Sequence, residues 1–273
     1  MVLYLCNLTL HDNVFFATRE MGILYETEKY LHNWALSYAL FETTHIPKPY
    51  RLQGAIAQRP GYLEADNEQN LLTLNEAGIY VFPALPLQWS YQVNTFKAAQ
   101  VTYYGKSKQF GDKGADRNYP INYGRAKELA VGSTYRTYIM AKDRATLPTW
   151  MQNQENNQRQ TWIRLGKWAA KIHVSVKLIP ENGIKQTSRE YTCEHPLNPI
   201  DLPSSTRMLL YNRIVMPPVS LVSQARLSGD CWEVAKPSEW VELPAWSDLK
   251  DLPNRVYLPG GVAYGANTAV AAS

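Results

Sequence analysis

The chain has 273 residues, of which 45% are hydrophobic and 12% aromatic, so it can bury a substantial core in one large domain or two small ones. No uninterrupted apolar run reaches the roughly 18 residues that span a bilayer, and the first residues lack the cationic segment of a secretory signal, so we expect a cytoplasmic protein. The net charge of +4 is too small to separate a nucleic-acid binder from an ordinary soluble protein.

The first 42 residues predict a strand followed by a helix. Residues 2–10 are apolar on both faces at their start, a pattern typical of a central strand. From Thr27, which can cap a helix, apolar side chains recur at steps of three and four residues until about Glu42, which predicts an amphipathic helix. Pro47 and Pro49 then stop this helix.

A β-rich segment follows. Short strands are predicted at 70–74 and 79–82, and residues 88–104 are long enough for an extended strand rich in aromatic side chains. Strand, helix and hairpin in this order open an RRM-like or ferredoxin-like antiparallel sheet, so we predict an α+β fold. Residues 105–132 have no sustained periodicity, and we interpret them as a long projecting loop or hairpin.

The next part of the chain returns to regular structure. Alternating side chains predict a strand at 135–141 with one face that tolerates polar residues, and a half-exposed strand at 171–179. Between them, residues 147–160 are compatible with a short helix after Pro148 or with a mobile loop.

The final third is predicted to be β-rich. Eight prolines between residues 196 and 253 leave room for little helix, and short strands are predicted at 208–215, 219–222 and 232–235. The last residues are mostly small, so we expect a loose tail over 261–273.

The positive charge is concentrated in the middle of the chain. Residues 95–190 carry 17 lysines and arginines against 7 acidic residues, whereas residues 1–94 carry 5 against 9 and residues 191–273 carry 6 against 8. A local basic patch can neutralise phosphates while the rest of the surface stays soluble or meets other proteins. This distribution favours a nucleic-acid contact in the middle third.

The segment 96–127 interleaves cations with aromatic side chains and glycines. Cations pair with phosphates and aromatic faces stack on unpaired bases, so the mixture is typical of single-stranded RNA binding. The candidate phosphate contacts in this region are Lys97, Lys106, Lys108, Lys113, Arg117, Arg125 and Lys127. The candidate stacking residues are Tyr103, Tyr104, Tyr119 and Tyr123. The alternative interpretation is a solvent-exposed hairpin whose tyrosines pack on its base.

A second, weaker candidate is the turn at residues 163–167. Arg164 and Lys167 flank Gly166, and a glycine turn between cations can hold a phosphate through backbone N–H groups and charge. A simple bend that leads into the following strand fits these residues equally well.

No catalytic motif accompanies the five histidines, and Cys6, Cys193 and Cys231 are too widely spaced for a Cys-x-x-Cys metal pair. We therefore predict no catalytic residues, no metal and no cofactor, with the cysteines buried in a reducing cytoplasm. Two rival functions stay open. One is a metal-independent endoribonuclease with His11 or His173 as its base, and the other is an assembly protein whose basic patch meets an acidic neighbour.

Parts of the sequence resemble a known family. The N-terminal signature of Csc-one, the Cas-five subunit of type I-D CRISPR systems, is similar to residues 8–40, LTLHDNVFFATREMGILYETEKYLHNWALSYAL. The IRLGK turn at residues 163–167 and the basic, tyrosine-rich middle resemble the same family. The resemblance covers most of residues 1–260.

This resemblance implies a RAMP fold of the RRM-like type, with an RNA-binding domain over residues 1–195, a thumb-like hairpin at about 96–130 and a β-rich extension over 196–260. It implies one copy per surveillance complex (Cascade), where the subunit holds and caps the 5′ handle of the CRISPR RNA. The implied partners are that RNA, a Cas-seven-type backbone subunit, a large Cas-ten-type subunit and target DNA near the PAM. Because type I-D systems are expected to use a separate Cas-six endonuclease, the implied subunit is not an enzyme.

Overall fold

The computed structural model describes residues 1–41, 62–63, 70–99, 121–152, 158–236 and 249–267, and most of these residues form β-structure. The α-helices in this part of the chain are α1 (Asn33–Phe41), α2 (Leu72–Glu76) and α3 (Thr149–Gln152). In chain order the strands are β1 (Val2–Leu10), β2 (Arg19–Met21), β3 (Leu24–Glu26), β4 (Ile79–Val81), β5 (Leu85–Gln88), β6 (Tyr91–Ala99), β7 (Ile121–Leu129), β8 (Thr134–Ala141), β9 (Gln158–Leu165), β10 (Ala170–Ile179), β11 (Ile184–Cys193), β12 (Arg207–Ile214), β13 (Leu221–Ala235) and β14 (Arg255–Pro259).

The main sheet has six strands, in the order β4-β8-β1-β10-β9 with β5 also paired to β8. All of these pairs are antiparallel. β1 is central, because it pairs with β10 on one side and with β8 on the other. Leu3 and Leu5 on one face and Tyr4 and Cys6 on the other are all buried, which confirms the predicted central strand. Helix α1 contacts β4 and β9.

The second sheet has four antiparallel strands from the final third of the chain. β13 is 15 residues long, and it pairs with β11 along one side and with β12 and then β14 along the other. Buried His195 follows β11 and meets the rings of Phe82 and Tyr138 from the main sheet, at centroid distances of 6.0 and 5.1 Å. The two sheets share one hydrophobic core, so apolar burial holds them together.

The third sheet contains a β-hairpin that overlaps the region in which the sequence predicts a projecting loop or hairpin. Its order is β2-β3-β7-β6, in which β3 and β7 are parallel. β6 and β7 pair in an unbroken antiparallel register from Tyr91↔Leu129 to Ala99↔Ile121. The predicted strand over 88–104 is divided, because Gln88 ends β5 and Tyr91 begins β6. The two arms of the hairpin are therefore residues 91–99 and 121–129, and residues 100–120 lie outside the described part.

A buried polar network ties the C-terminal segment to α1 and β4. The Asp201 carboxylate accepts hydrogen bonds from Asn33 Nδ2 (2.8 Å), the Tyr80 hydroxyl (3.0 Å) and the Gly265 backbone N–H (2.8 Å). The Tyr264 hydroxyl lies 2.6 Å from Ser37 Oγ and accepts the Val81 N–H at 3.0 Å. Burial raises the pKa of Asp201 to about 6, against the opposing effect of these donors.

The predicted tail is packed as far as the structure describes it. Tyr264 is only 1% exposed, and Asn75 binds both the backbone N–H and the carbonyl of Tyr264. Residues 261–267 are therefore held against the domain, where the sequence predicts a loose end. A segment of small residues is usually mobile, but here burial of Tyr264 and the hydrogen bonds of its N–H and carbonyl groups hold the segment in place.

Two predictions in the first 80 residues are wrong in detail. Helix α1 begins at Asn33 and not after Thr27, because the Thr27 hydroxyl accepts the Phe16 N–H at 3.1 Å and the His32 ring accepts the Trp34 N–H at 3.2 Å. The predicted strand at 70–74 is instead the start of α2, because the Asn70 side chain accepts the N–H groups of Leu72 and Thr73.

The strands predicted at 135–141, 171–179 and 208–215 are confirmed as β8, β10 and β12, within a residue at each end. Residues 221–222 of the strand predicted at 219–222 and all of the strand predicted at 232–235 belong to the single strand β13, and the short helix after Pro148 is α3. No separate strand is predicted for β2, β3, β7, β9, β11 or β14.

The face of β8 that carries Arg136 is buried and accommodates this polar side chain. Arg136 is 8% exposed, and its guanidinium donates to the backbone carbonyl of Asp251. Residues 249–252 thus help to bury this face.

The three cysteines are buried thiols, as predicted. Burial raises the pKa of Cys193 to about 12. None of the helices in the described ranges is long and apolar enough to cross a membrane.

Loss of the Tyr264 hydroxyl is expected to destabilise the fold. Tyr264→Phe leaves the Val81 N–H and one Ser37 lone pair without a partner in a buried site, which we expect to lower the free energy of unfolding by about 1–3 kcal/mol. Equilibrium urea unfolding measures this. The matched control is Tyr211→Phe on exposed β12, with an expected change within about 0.5 kcal/mol. Equal effects of the two substitutions would contradict the packed C-terminal segment.

Two buried histidines make the fold sensitive to acid. Burial lowers the pKa of His195 to about 3 and that of His32 to about 4, from an ordinary value of 6.5. Below pH 6.5 both histidines bind protons in the unfolded chain, whereas in the folded protein they stay neutral until the pH is much lower. The free energy of unfolding therefore falls as the pH drops. Asp201 acts in the opposite direction below about pH 6, because its folded pKa is raised.

The contribution of His195 can be isolated by substitution. His195 Nε2 donates to the Pro83 carbonyl at 2.7 Å, a bond that a glutamine amide can also make. Between pH 7 and pH 4.5 we expect His195→Gln to lose about 3 kcal/mol less stability than the unsubstituted protein. Denaturant unfolding at the two pH values measures the difference, and parallel losses in the two proteins would refute the assignment.

Candidate nucleic-acid interface

The hairpin β6–β7 carries the first group of predicted site residues. Lys97 and Tyr123 are directly paired in its register, and only their backbone is described. Most of the other candidates lie in the stretch 100–120, outside the described residues: Tyr103, Tyr104, Lys106, Lys108, Lys113, Arg117 and Tyr119. Their proposed contacts stay predictions.

The arms of the hairpin are packed by an aromatic ring on a glycine. Gly124 lies opposite Phe96, and a Cβ atom at Gly124 would overlap the Phe96 ring. Tyr25 on β3 approaches the same ring at a centroid distance of 5.8 Å. Gly124 therefore has a packing role, while its neighbour Arg125 is exposed on β7.

Lys127 differs from Arg125 because its ammonium group has partners within the third sheet. Its Nζ lies 3.0 Å from Glu26 Oε1 and 4.3 Å from the centroid of the Tyr91 ring. Burial, with Glu28 and Glu26 nearby, raises the pKa of Tyr91 to about 12, so this hydroxyl stays neutral. The ion pair partly neutralises Lys127, which makes Arg125 the more available cation on this strand.

The Gly166 turn joins β9 to β10. Gly166 has a φ of +81°, and a Cβ atom there would lie 2.8 Å from the Phe15 carbonyl oxygen. The Lys167 N–H donates to that same oxygen at 2.8 Å. Gly166 thus permits close backbone packing, and the N–H of Lys167 is already used inside the protein. The side chains of Arg164 and Lys167 are exposed and can still meet a phosphate.

One chain segment joins the hairpin to this turn. Val14 and Leu129 exchange two backbone hydrogen bonds of 2.9 Å each, while Phe15 accepts the bond from Lys167. The end of β7 and the Gly166 turn therefore lie on either side of residues 14–15. The structure brings together two of the predicted elements that are about 40 residues apart in sequence.

Beside the turn lies an exposed cluster of rings that the sequence analysis did not assemble. We call His11, Trp162 and His173 the ring cluster. Trp162 is 50% exposed, and its ring centroid lies 4.8 Å from that of His11 and 4.9 Å from that of His173. Lys171 Nζ lies 4.1 Å from the centre of the Trp162 ring.

The register of β9 and β10 explains this cluster. Trp162 pairs with His173 and Arg164 pairs with Lys171, so all four side chains share one face of the main sheet. The intervening residues Ile163 and Ile172 are buried on the opposite face. Alternation of buried and exposed side chains in β9 and β10 was the available signal in the sequence. It places Trp162 beside His173 only if the two strands are assumed to pair across the Gly166 turn as a hairpin.

The described residues contain no group of three His, Cys, Asp or Glu side chains that could hold a metal ion. The interface they form consists of cations, aromatic rings and backbone turns. Such a surface can bind phosphates and bases by charge and stacking.

Comparison with known proteins places this geometry in a family. A search of curated proteins gives no match. Among solved structures, one chain of the cryo-EM structure of the Type III-B Cmr-beta bound to cognate target RNA and AMPPnP, state 1, aligns with a TM-score of 0.40 and 6% identity, over 82% of this chain and 86% of that chain. A likeness this distant carries no argument about function.

The family model described as type I-D CRISPR-associated protein Cas5/Csc1 matches residues 1–267. The match includes residues 8–40 and 163–167, which carry the resemblance in the sequence, and it extends past residue 260. The chain therefore belongs to the type I-D CRISPR-associated Cas5/Csc1 family.

Proposed function

We propose that this chain is a non-catalytic, RNA-binding subunit of a type I-D CRISPR surveillance complex, in which it binds and caps the 5′ handle of the CRISPR RNA. The observation that carries the proposal is the hairpin β6–β7, whose connecting stretch, residues 100–120, holds four cations and three tyrosines. In this proposal the main sheet is the RRM-like RAMP core, and the hairpin is its thumb.

Charge supports RNA as the ligand of this side of the molecule. Arg125 on the hairpin and Arg164 and Lys167 at the Gly166 turn are exposed, and residues 14–15 hold the two elements side by side. Exposed cations on neighbouring elements can neutralise phosphates of one strand, and binding through phosphates is independent of sequence. Base pairing of the guide, and not the protein, would read the target.

The proposed protein partners are a Cas-seven-type backbone subunit and a large Cas-ten-type subunit near the PAM, with target DNA close by, in the cytoplasm. Strand β12 supports a role in assembly. Leu209, Leu210, Tyr211 and Val215 are between 45% and 68% exposed, which is typical of a surface that meets another protein.

Removal of cations from the hairpin is expected to weaken RNA binding. Joint replacement of Lys106, Lys108 and Lys113 by glutamine should lower the affinity for handle RNA by at least about tenfold, because three phosphate contacts are lost. Each lost contact should also reduce the slope of log affinity against log salt concentration by about 0.7. Fluorescence anisotropy at several salt concentrations measures both the affinity and the slope.

The matched control removes the same charge from the second sheet and its flank. Lys185, Arg207 and Lys250 are exposed, and their joint replacement by glutamine should change neither the affinity nor the slope. If both triple variants behave like the unsubstituted chain, or if the free chain binds no handle RNA, a protein neighbour and not RNA is the partner of the basic patch.

A second candidate function is metal-independent cleavage of precursor RNA. The observation that favours it is the approach of His11 to His173, with ring centroids 6.2 Å apart and Lys171 on the same face. Two imidazoles and a cation can supply a base, an acid and stabilisation of a phosphorane.

An incubation of the purified chain with repeat RNA in EDTA separates the two candidates. Our proposal expects intact RNA after prolonged incubation, because the histidines would bind and not cleave. Cleavage at one position that is lost in His11→Ala and in His173→Ala would establish the second candidate.

A further inference from the structure

We infer that the ring cluster is a stacking platform for an unpaired base of single-stranded RNA. The platform consists of His11, Trp162 and His173 on the outer face of β9 and β10, with Lys171 and Arg164 beside the rings. The inference rests on the proposed function, and it adds the chemical group that this face recognises, which is a base and not only a phosphate.

The exposure of Trp162 is the first reason. β9 is the edge strand of the main sheet, and its inner face is already filled by buried Ile163 and Leu165. Trp162 faces the other way and leaves half of its surface in water. A planar base would cover the exposed indole, and stacking on an aromatic ring tolerates any base, because every base has a π-face.

The second reason is that the rings are held in place by the backbone. The N–H groups of His11 and Asp12 both donate to the Lys171 carbonyl, at 3.0 and 3.2 Å. The Asp12 carboxylate accepts the Lys171 N–H at 2.8 Å. These bonds fix the end of β1 against the start of β10, and they hold His11 beside Trp162. A preorganised site loses little conformational freedom on binding.

The third reason is the position of the cations. Lys171 Nζ lies 4.1 Å from the centre of the Trp162 ring, where a cation is weakly held at an exposed site. Arg164 is paired with Asp12 at 3.7 Å, and the side chains are 66% and 55% exposed. An entering nucleotide can place its base over the indole and its phosphate against the displaced ammonium group. Lys171 would then lose its cation–π contact with Trp162 and gain an ion pair with the phosphate.

The location agrees with a continuous RNA path. The ring cluster begins at His11, three residues before Val14, which binds the end of the hairpin at Leu129. Lys167 in the Gly166 turn bonds to Phe15 through its backbone and carries an exposed side chain. A strand that crosses the hairpin and follows these cations reaches the ring cluster next.

The test measures binding of the full chain to 5′-handle RNA by fluorescence anisotropy, with intact RNA and with the same RNA carrying an abasic nucleotide at each position in turn. For the unsubstituted chain we expect one or two abasic positions to weaken binding by about five- to hundredfold. Trp162→Ala should weaken binding of intact RNA by a similar factor. The affinity of this variant should be the same for intact RNA and for RNA that is abasic at those positions. Trp162→Phe, which keeps a ring, should retain most of the affinity.

Three controls keep the test decisive. Tyr211→Ala removes an exposed ring from β12 and should leave binding unchanged. Circular dichroism checks folding, and His173→Ala serves as the second variant if Trp162→Ala unfolds the edge strand. Co-purification with the other subunits in the absence of RNA tests whether this face binds protein.

The outcomes separate the platform from the proposed function. If the unsubstituted chain binds handle RNA but Trp162→Ala binds it equally well, or keeps the same sensitivity to abasic positions, the platform is wrong and the proposed function stands. If Trp162→Ala loses only its association with other subunits, the face is a protein interface and the platform is also wrong. If the unsubstituted chain binds no handle RNA, both proposals fail together.

Discussion

The arrangement of the interface depends on a few backbone hydrogen bonds made by Val14 and Phe15. Val14 extends the third sheet through its two bonds with Leu129, and Phe15 receives the N–H of Lys167 from the main sheet. Both side chains are buried, so water does not compete for these bonds. The absence of a side chain at Gly166 allows the approach. The hairpin is therefore oriented by main-chain contacts, and the exposed side chains around it can vary without moving it.

The second constraint is the buried network around Asp201. It gathers donors from α1, β4 and the C-terminal segment, three parts of the chain that are distant in sequence. A buried carboxylate without such donors would be strongly unfavourable, so the network is stable only when all of its members are in place. It thereby favours one arrangement of the main sheet and the second sheet, whereas apolar packing alone would select less strongly between alternative arrangements.

Local patterns in the sequence are sufficient for the elements that depend on local physics. β1 follows from its two apolar faces and β10 from its apolar alternation, because both patterns are local. Apart from the local cap that Asn70 provides, two of the features that were missed depend on partners far away in the chain. Asn70 starts a helix through its own side chain, but the burial of Arg136 depends on Asp251, and the order of residues 261–267 depends on Ser37 and Asn75. No window of sequence contains those pairs.

The candidate site divides in the same way. Composition identifies the basic, tyrosine-rich hairpin and the cations around Gly166, because charge and aromatic content can be counted along the chain. The ring cluster requires the pairing of β9 with β10 and the return of residues 11–12 beside them, which is tertiary information. His11 and Trp162 are about 150 residues apart in sequence, so their contact cannot be read from spacing.

Strand β12 affects how the chain behaves before it binds other subunits. Among the strands that the structure describes, it pairs only with β13, and apolar side chains line it on both faces. An edge of this kind accepts another strand from any copy that it meets. A newly made chain that is produced in excess over its neighbours would therefore tend to self-associate. Balanced synthesis of the subunits would keep this edge covered.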